Sequence, residues 1–217
     1  MLRNKYNIKF QLSRKSSLTS EKMNIRKTIV LFGILFFLSL GASAQRVGIK
    51  TNLISDAVTS PNIGVEFKMA PKWTFDISGQ VNFWNIHERR WRHWMVMPEA
   101  RWWFCEAFQG SFLALHVLGG QYNVGNINPV IDKFLGSDFT GLKDHRYQGW
   151  AGGAGIGYGY DWILSKHWNI EFEIGIGWIY TRYDQYPCAE CGTIEEKDKP
   201  HNYYGPTKLS LAIEYIF

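Results

Sequence analysis

The chain has 217 residues, with 24 Lys or Arg against 19 Asp or Glu and a formal charge of +5. That basic balance sits at the N-terminus: residues 1–44 hold eight of the bases and one of the acids, which leaves 16 bases against 18 acids beyond them. A net charge of about −2 over that remainder gives no electrostatic ground for nucleic-acid binding, and none is expected.

The first predicted element is a secretory signal. In "MNIRKTIVLFGILFFLSLGASAQ", Arg26 and Lys27 supply the charge, Ile29 to Leu40 the apolar run, and Ala42-Ser43-Ala44 the small residues that a signal peptidase accepts. Cleavage is expected after Ala44, with Met23 as the true start, so that 1–44 is leader and 45–217 a single barrel domain. The apolar run is shorter than the ~20 residues of a spanning helix. No Cys follows Gly41 or Ala44, so no lipoprotein anchor is expected.

From residue 46 onward apolar side chains recur at every second position, the period of a strand. Eight segments follow in order: 46–55, 61–69, 72–83, 92–105, 112–122, 147–163, 168–182 and 207–217. The clearest is "WNIEFEIGIGWIY", with Trp168, Ile170, Phe172, Ile174, Ile176, Trp178 and Tyr180 on one face and Asn169, Glu171, Glu173, Gly175 and Gly177 on the other. At roughly 3.3 Å per residue it spans about 43 Å, enough to cross a bilayer core when tilted by ~40°. Connections at Ala70-Pro71, 107–111 and 164–167 are short, and those at 84–91, 123–146 and 183–206 are long. The loop around "DAVTSP" is the short exception. An even number of long antiparallel strands joined alternately by turns and loops predicts an all-β, eight-stranded antiparallel transmembrane β-barrel of the small outer-membrane type.

The two faces separate this from a soluble barrel. Trp73, Phe75, Ile77, Val81 and Phe83, then Trp94, Val96, Ala100, Trp102 and Phe104, then Trp150, Ala154, Ile156, Tyr158, Tyr160 and Trp162 share one side. The opposite side carries Lys50, Glu66, Lys68, Asp76, Glu99, Arg101, His116, Asp161, Glu171, Glu173, Lys208 and Glu214, with Gly149, Gly153, Gly155, Gly157 and Gly159 together on the sixth segment. A lipocalin-like barrel needs the reverse, an apolar cavity and a polar exterior. The apolar face is therefore expected to meet outer-membrane lipid, and the charges to form a paired network in the lumen. Of these, Asp76, Asp161, Glu171, Glu173 and Glu214, with Lys68 and Arg101, are placed low, and Lys50, Glu66, Glu99 and His116 nearer mid-height. The last segment, "TKLSLAIEYIF", ends on Tyr215 and Phe217, an expected insertion signal for the barrel assembly machinery.

The stretches "KTNLISDAVTSPNIGVEF", "KWTFDISG", "HWMVMPEARWWFCEAFQGSFLALHVLGGQYN" and "GWAGGAGIGYGYDW" together resemble a Bacteroidota family of outer-membrane barrels, domain of unknown function 3575. The likeness runs from Gln45 to Phe217. It implies an integral outer-membrane barrel, with some relatives resembling accessories of fimbrial or other surface-assembly loci, and it supplies no catalytic residues.

Candidate chemistry is sparse. Acyl transfer or hydrolysis on a lipid wants a Ser and a His with an orienting acid. His93 faces inward on the fourth segment and His87 and Glu88 lie in the adjacent loop, but no inward Ser is evidently paired with them. Cys188 and Cys191 are spaced as CxxC, which suits a disulfide, a redox pair or half of a zinc site. His201 is the only nearby third ligand, so in an exported chain a loop-stabilising disulfide is expected, with Cys105 left unpaired. The run "EEKDK" at 195–199 is expected to be solvated loop. No metal and no cofactor are expected. The resulting reading is a non-enzymatic structural or accessory surface protein whose loops meet surface or fimbrial partners; the alternatives are a lipid-modifying enzyme and a small ion or solute pore.

Overall fold

The computed structural model describes residues 46–217 apart from 84, 87, 88, 129–132, 135, 136 and 189. The predicted leader, and His87 and Glu88, lie outside the described residues. Eight long strands are present: β1 (Val47–Asn52), β2 (Asn62–Ala70), β3 (Trp73–Asn82), β4 (Arg89–Trp103), β5 (Gly110–Gly125), β6 (Arg146–Ile163), β7 (Trp168–Tyr186) and β8 (Glu196–Ile216). Each pairs antiparallel with its chain neighbours, and β1 pairs with β8 from Gly48↔Ile216 to Asn52↔Ala212, so the sheet closes on itself. Closure of the ring is the condition for a sheet to stand in lipid, and where β1 ends the Asn52 side chain takes over the edge of β8, accepting from Leu211 N and donating to Leu209 O.

Side-chain placement follows the alternation. Along β7 the residues from Trp168 to Trp178 alternate between outward apolar groups and buried Asn169, Glu171, Glu173 and Gly175. Ten steps of about 3.3 Å at a tilt near 40° give an apolar band about 25 Å tall, the height expected of a barrel's lipid-facing belt. Aromatic rings mark both borders. Trp73, Trp162, Trp168 and Phe217 stand exposed at the turn end, and Trp94, Trp150, Trp178 and Tyr204 at the other. The indole N–H of Trp178 donates to Asn202 Oδ1 at 2.9 Å and that of Trp94 to Gln121 Oε1 at 3.2 Å, as amphipathic rings do at a membrane–water boundary. An exterior of large apolar groups around a charged interior is a membrane protein's arrangement. Among the described residues no helix is long and apolar enough to cross a membrane, so the crossing is made by strands.

The wall is uneven. β1, β2 and β3 have six, nine and ten residues, while β6, β7 and β8 have 18, 19 and 21. The long strands continue past the apolar belt at the loop end, where Arg182 and Asp184 replace the aliphatic groups of β7.

Most strand boundaries move by one to three residues from the sequence expectation, and three of the differences have a clear local form. The first strand stops at Asn52 rather than 55, because the Asn52 carboxamide oxygen accepts from Ile54 N at 3.1 Å and caps helix α1 (Leu53–Ala57). β7 runs on to Tyr186. β8 begins at Glu196, so most of the charged run taken for loop is strand. There Lys199 pairs with Glu196, Asp198 N donates to Asp184 Oδ1 at 2.8 Å, and the ladder continues to Gln185↔Glu196. Two register shifts in β8's pairing with β7, after Gly175 and after Tyr183, accommodate the extra length, and Gly205 takes φ 157° beside the first.

Candidate functional site

The lumen is built in layers from the turn end upward. At the bottom, the turn between β4 and β5 folds under the barrel: Trp103 N donates to Lys72 O and Ala107 N to Pro71 O, both at 2.9 Å. Phe108 adopts φ 66°, a left-handed backbone that an L residue takes at a cost, and its side chain is buried inside. With Trp103, Phe112, Ala114 and Ile216 it forms an apolar floor, in which the Trp103 and Phe112 rings lie 4.7 Å apart. The Trp103 indole donates to Thr74 Oγ1 at 2.8 Å. Asn169 Nδ2 donates to Asp161 Oδ2 at 2.6 Å and to Phe108 O at 3.0 Å, which fastens the turn to the wall.

Above the floor is one charge network centred on Arg101. Its Nε donates to Glu99 at 2.5 Å, Nη1 to Glu66 at 2.7 Å and to Glu171 at 2.5 Å, and Nη2 to Glu171 at 3.0 Å and Glu173 at 2.8 Å. The guanidinium also lies 4.5 Å over the Phe112 ring, joining network to floor. Lys50 Nζ sits 2.6 Å from Glu66, 3.1 Å from Asp76 and 3.3 Å from Glu171. Lys208 Nζ bridges Glu99 at 2.7 Å and Glu173 at 2.8 Å. His116 Nε2 meets Thr207 Oγ1 at 2.8 Å, with Nδ1 3.8 Å from Glu99. A planar donor fork serves four carboxylates from three directions, which an ammonium could not do.

The inward glycines make room for this packing. A Cβ on Gly157 would come within 2.7 Å of Glu173 Oε1, one on Gly175 within 2.8 Å of His116, and one on Gly159 would collide with the Phe112 ring. Bulky groups from β5 and β7 thus lie directly against bare backbone.

All twelve charged or His residues expected inside the barrel are buried or largely buried. Their heights need correcting. Arg101 meets Glu66 and Glu99 in one layer with Glu171 and Glu173, where two levels were expected. Lys68 lies low, as expected, but apart from Arg101: its Nζ pairs with Glu106 at 3.1 Å, and that hydrogen bond holds the exposed Glu106 carboxyl below the usual carboxylate range. Sequence reasoning missed the aromatic floor. Trp103 and Phe112 have the inward parity of Arg101 and His116, which was the available signal; Phe108, in a turn, gave none.

Over the network lies a cavity of about 210 Å³, bordered by Lys50, Asp76, Arg101 and Glu171 below and by Ser55, Asn62, Gln80 and Met95 towards the loops. Beyond the belt the tall wall is tied by other means. Arg146 stacks 3.7 Å over the Tyr186 ring and donates to Cys191 O at 3.0 Å, Tyr147 meets Tyr183 edge-on, and Tyr122 hydrogen-bonds Thr181 at 2.6 Å. Cys188 and Cys191 form a disulfide at the tip of the β7–β8 hairpin, and Cys105 is free and exposed near the turn end. His201 accepts or donates at 2.9 Å with Ser137, and His93 packs edge-on against Trp91. Tyr215 packs between Trp168 and Phe217 on the outer face at the turn end.

Fold and lumen together define an integral membrane β-barrel of the small, eight-stranded type with a filled interior. The chain belongs to the family described as Protein of unknown function (DUF3575), whose profile matches residues 30–217. No curated protein matches it. Among solved structures it is similar to Neisserial surface protein A (NspA), with 15% identity, covering 82% of this chain and 99% of that one, at a TM-score of 0.38.

Proposed function

We propose that the protein is an outer-membrane barrel that works as a non-enzymatic scaffold, an accessory surface protein that presents the tall β6–β8 wall and its loops to surface or fimbrial components. The observation that carries this reading is the filled lumen. Side chains of an eight-stranded barrel can just fill its interior, and here Arg101, Lys50 and Lys208 pair with Glu66, Asp76, Glu99, Glu171 and Glu173 above an aromatic floor. Such an interior serves rigidity. The polar extension past the belt, braced by ring stacking and a disulfide, is the part left to meet another molecule. The outward Tyr215 and Phe217 are the surface we assign to recognition by the barrel assembly machinery.

Deleting the gene tests the reading. It is expected to leave the acylation pattern of the outer-membrane lipid unchanged while lowering the amount of a surface assembly on the cell. A changed lipid acylation pattern, restored by the wild-type gene, would replace the scaffold by a lipid-modifying enzyme.

A further inference from the structure

The lumen's charges do not balance. Glu66, Asp76, Glu99, Asp161, Glu171, Glu173 and Glu214 share it with Lys50, Arg101 and Lys208, and the shortfall is uneven. Around Glu99 and Glu173, Lys208 and Arg101 supply two cations within hydrogen-bonding distance. Around Glu214 the situation is different. Its carboxylate is fully buried, and neither oxygen has a hydrogen-bond partner among the described residues. Glu66 Oε1 is also without one. Glu66, Glu171 and Glu214 each offer an oxygen, and the three lie within 4.8 Å of one another.

A proton on Glu214 would remove its charge and could be shared with at most one neighbouring carboxylate oxygen, which leaves the remaining open oxygens of Glu214 and Glu66 unserved. An ion among the three carboxylates serves the open oxygens of Glu214 and Glu66 together, beside Glu171, whose oxygens also accept from Arg101. Oxygens bound at about 2.4 Å to one ion stand at most about 4.8 Å apart, and the three oxygens here lie within that distance of one another. The donors are all carboxylate oxygens, so the ion is a hard one. Calcium accepts irregular shells and bidentate carboxylates, whereas magnesium demands a near-octahedral shell and holds its waters. Gly48 completes the setting, since any Cβ there would collide with the Glu214 carboxylate. The cavity on the loop side reaches Glu171 and Lys50.

We propose that Glu66, Glu171 and Glu214 bind a calcium ion inside the barrel. The site lies between β2, β7 and β8 and would tie the short side of the wall to the tall side.

The test uses the barrel refolded into detergent, stripped with a chelator and titrated calorimetrically with Ca²⁺, alongside Glu214→Gln and the exposed-turn control Glu106→Gln. Wild type and Glu106→Gln are expected to bind about one Ca²⁺ per chain and to convert to the unfolded, slower-migrating form at a higher temperature when it is present. Glu214→Gln is expected to fold and to bind at least tenfold more weakly. Should that variant fail to fold, elemental analysis of the wild type before and after chelation decides alone. A folded wild-type barrel that takes up no Ca²⁺ at millimolar concentration, or a Glu214→Gln barrel that binds as tightly as wild type, overturns the proposal.

Discussion

Arg101 and Arg182 sit on the same barrel and live under opposite rules. Arg101, fully buried at the height of the lipid belt, meets four carboxylates with nothing else to solvate it. Arg182, on the part of β7 beyond the belt, is exposed and pairs with Asp198 at 3.4 Å. In the belt the sheet is inside out: lipid takes the apolar face, and the protein must neutralise its own polar face. Past the belt water returns and the strands are held by ladder pairing, ring stacking and a disulfide. Strand structure runs through the boundary without a break, so the change lies in the solvent.

The difference can be broken most strongly at Arg101. Arg101→Ala strands the carboxylates of Glu66, Glu99, Glu171 and Glu173 in the interior and is expected to destabilise the barrel by about 3–5 kcal/mol, measured as the shift in urea-unfolding midpoint of the refolded protein. Next comes the glycine ridge. Gly157→Val drives side-chain atoms into the Glu173 carboxylate and is expected to cost about 1–3 kcal/mol in the same assay. Replacing Cys188 and Cys191 together by Ser acts only past the belt. The unfolding midpoint should stay put while protease cuts the hairpin tip several times faster, and a fall in the midpoint would couple the two regions more tightly than argued. Arg182→Ala should be nearly silent, at under about 0.5 kcal/mol, as exposed ion pairs usually are.

How far the sequence was legible follows the same division. Within the belt, alternation is enforced by lipid on one side and charge on the other, so β7 and the inward set from Lys50 to Glu214 could be read directly. Most of the belt's aromatic residues face outward, so an inward pair is easily passed over. Trp103 and Phe112 face inward because they roof the turn end, and Phe108 does so by a backbone conformation that no pattern announces. Outside the belt the signals weaken. Asn52 stops a strand whose alternation continues on paper, because its side chain caps α1. The charges at 196–199 disguise a strand that pairs in water, where no apolar face is required. Lys68 lies low, as its place in the strand implies, but its partner Glu106 sits in a turn, and alternation says nothing about where a turn residue reaches.

The interior is filled by an aromatic floor and the charge network around Arg101, and conductance tests that filling most directly. Purified wild-type protein reconstituted in a planar bilayer is expected to show no steady ion current at any voltage the membrane withstands, because the aromatic floor and the Arg101 network leave no continuous water path. Reproducible cation-selective steps from the pure protein, reduced by neutralising Glu171 and Glu173, would contradict it and make the acidic wall of the lumen a conduction path.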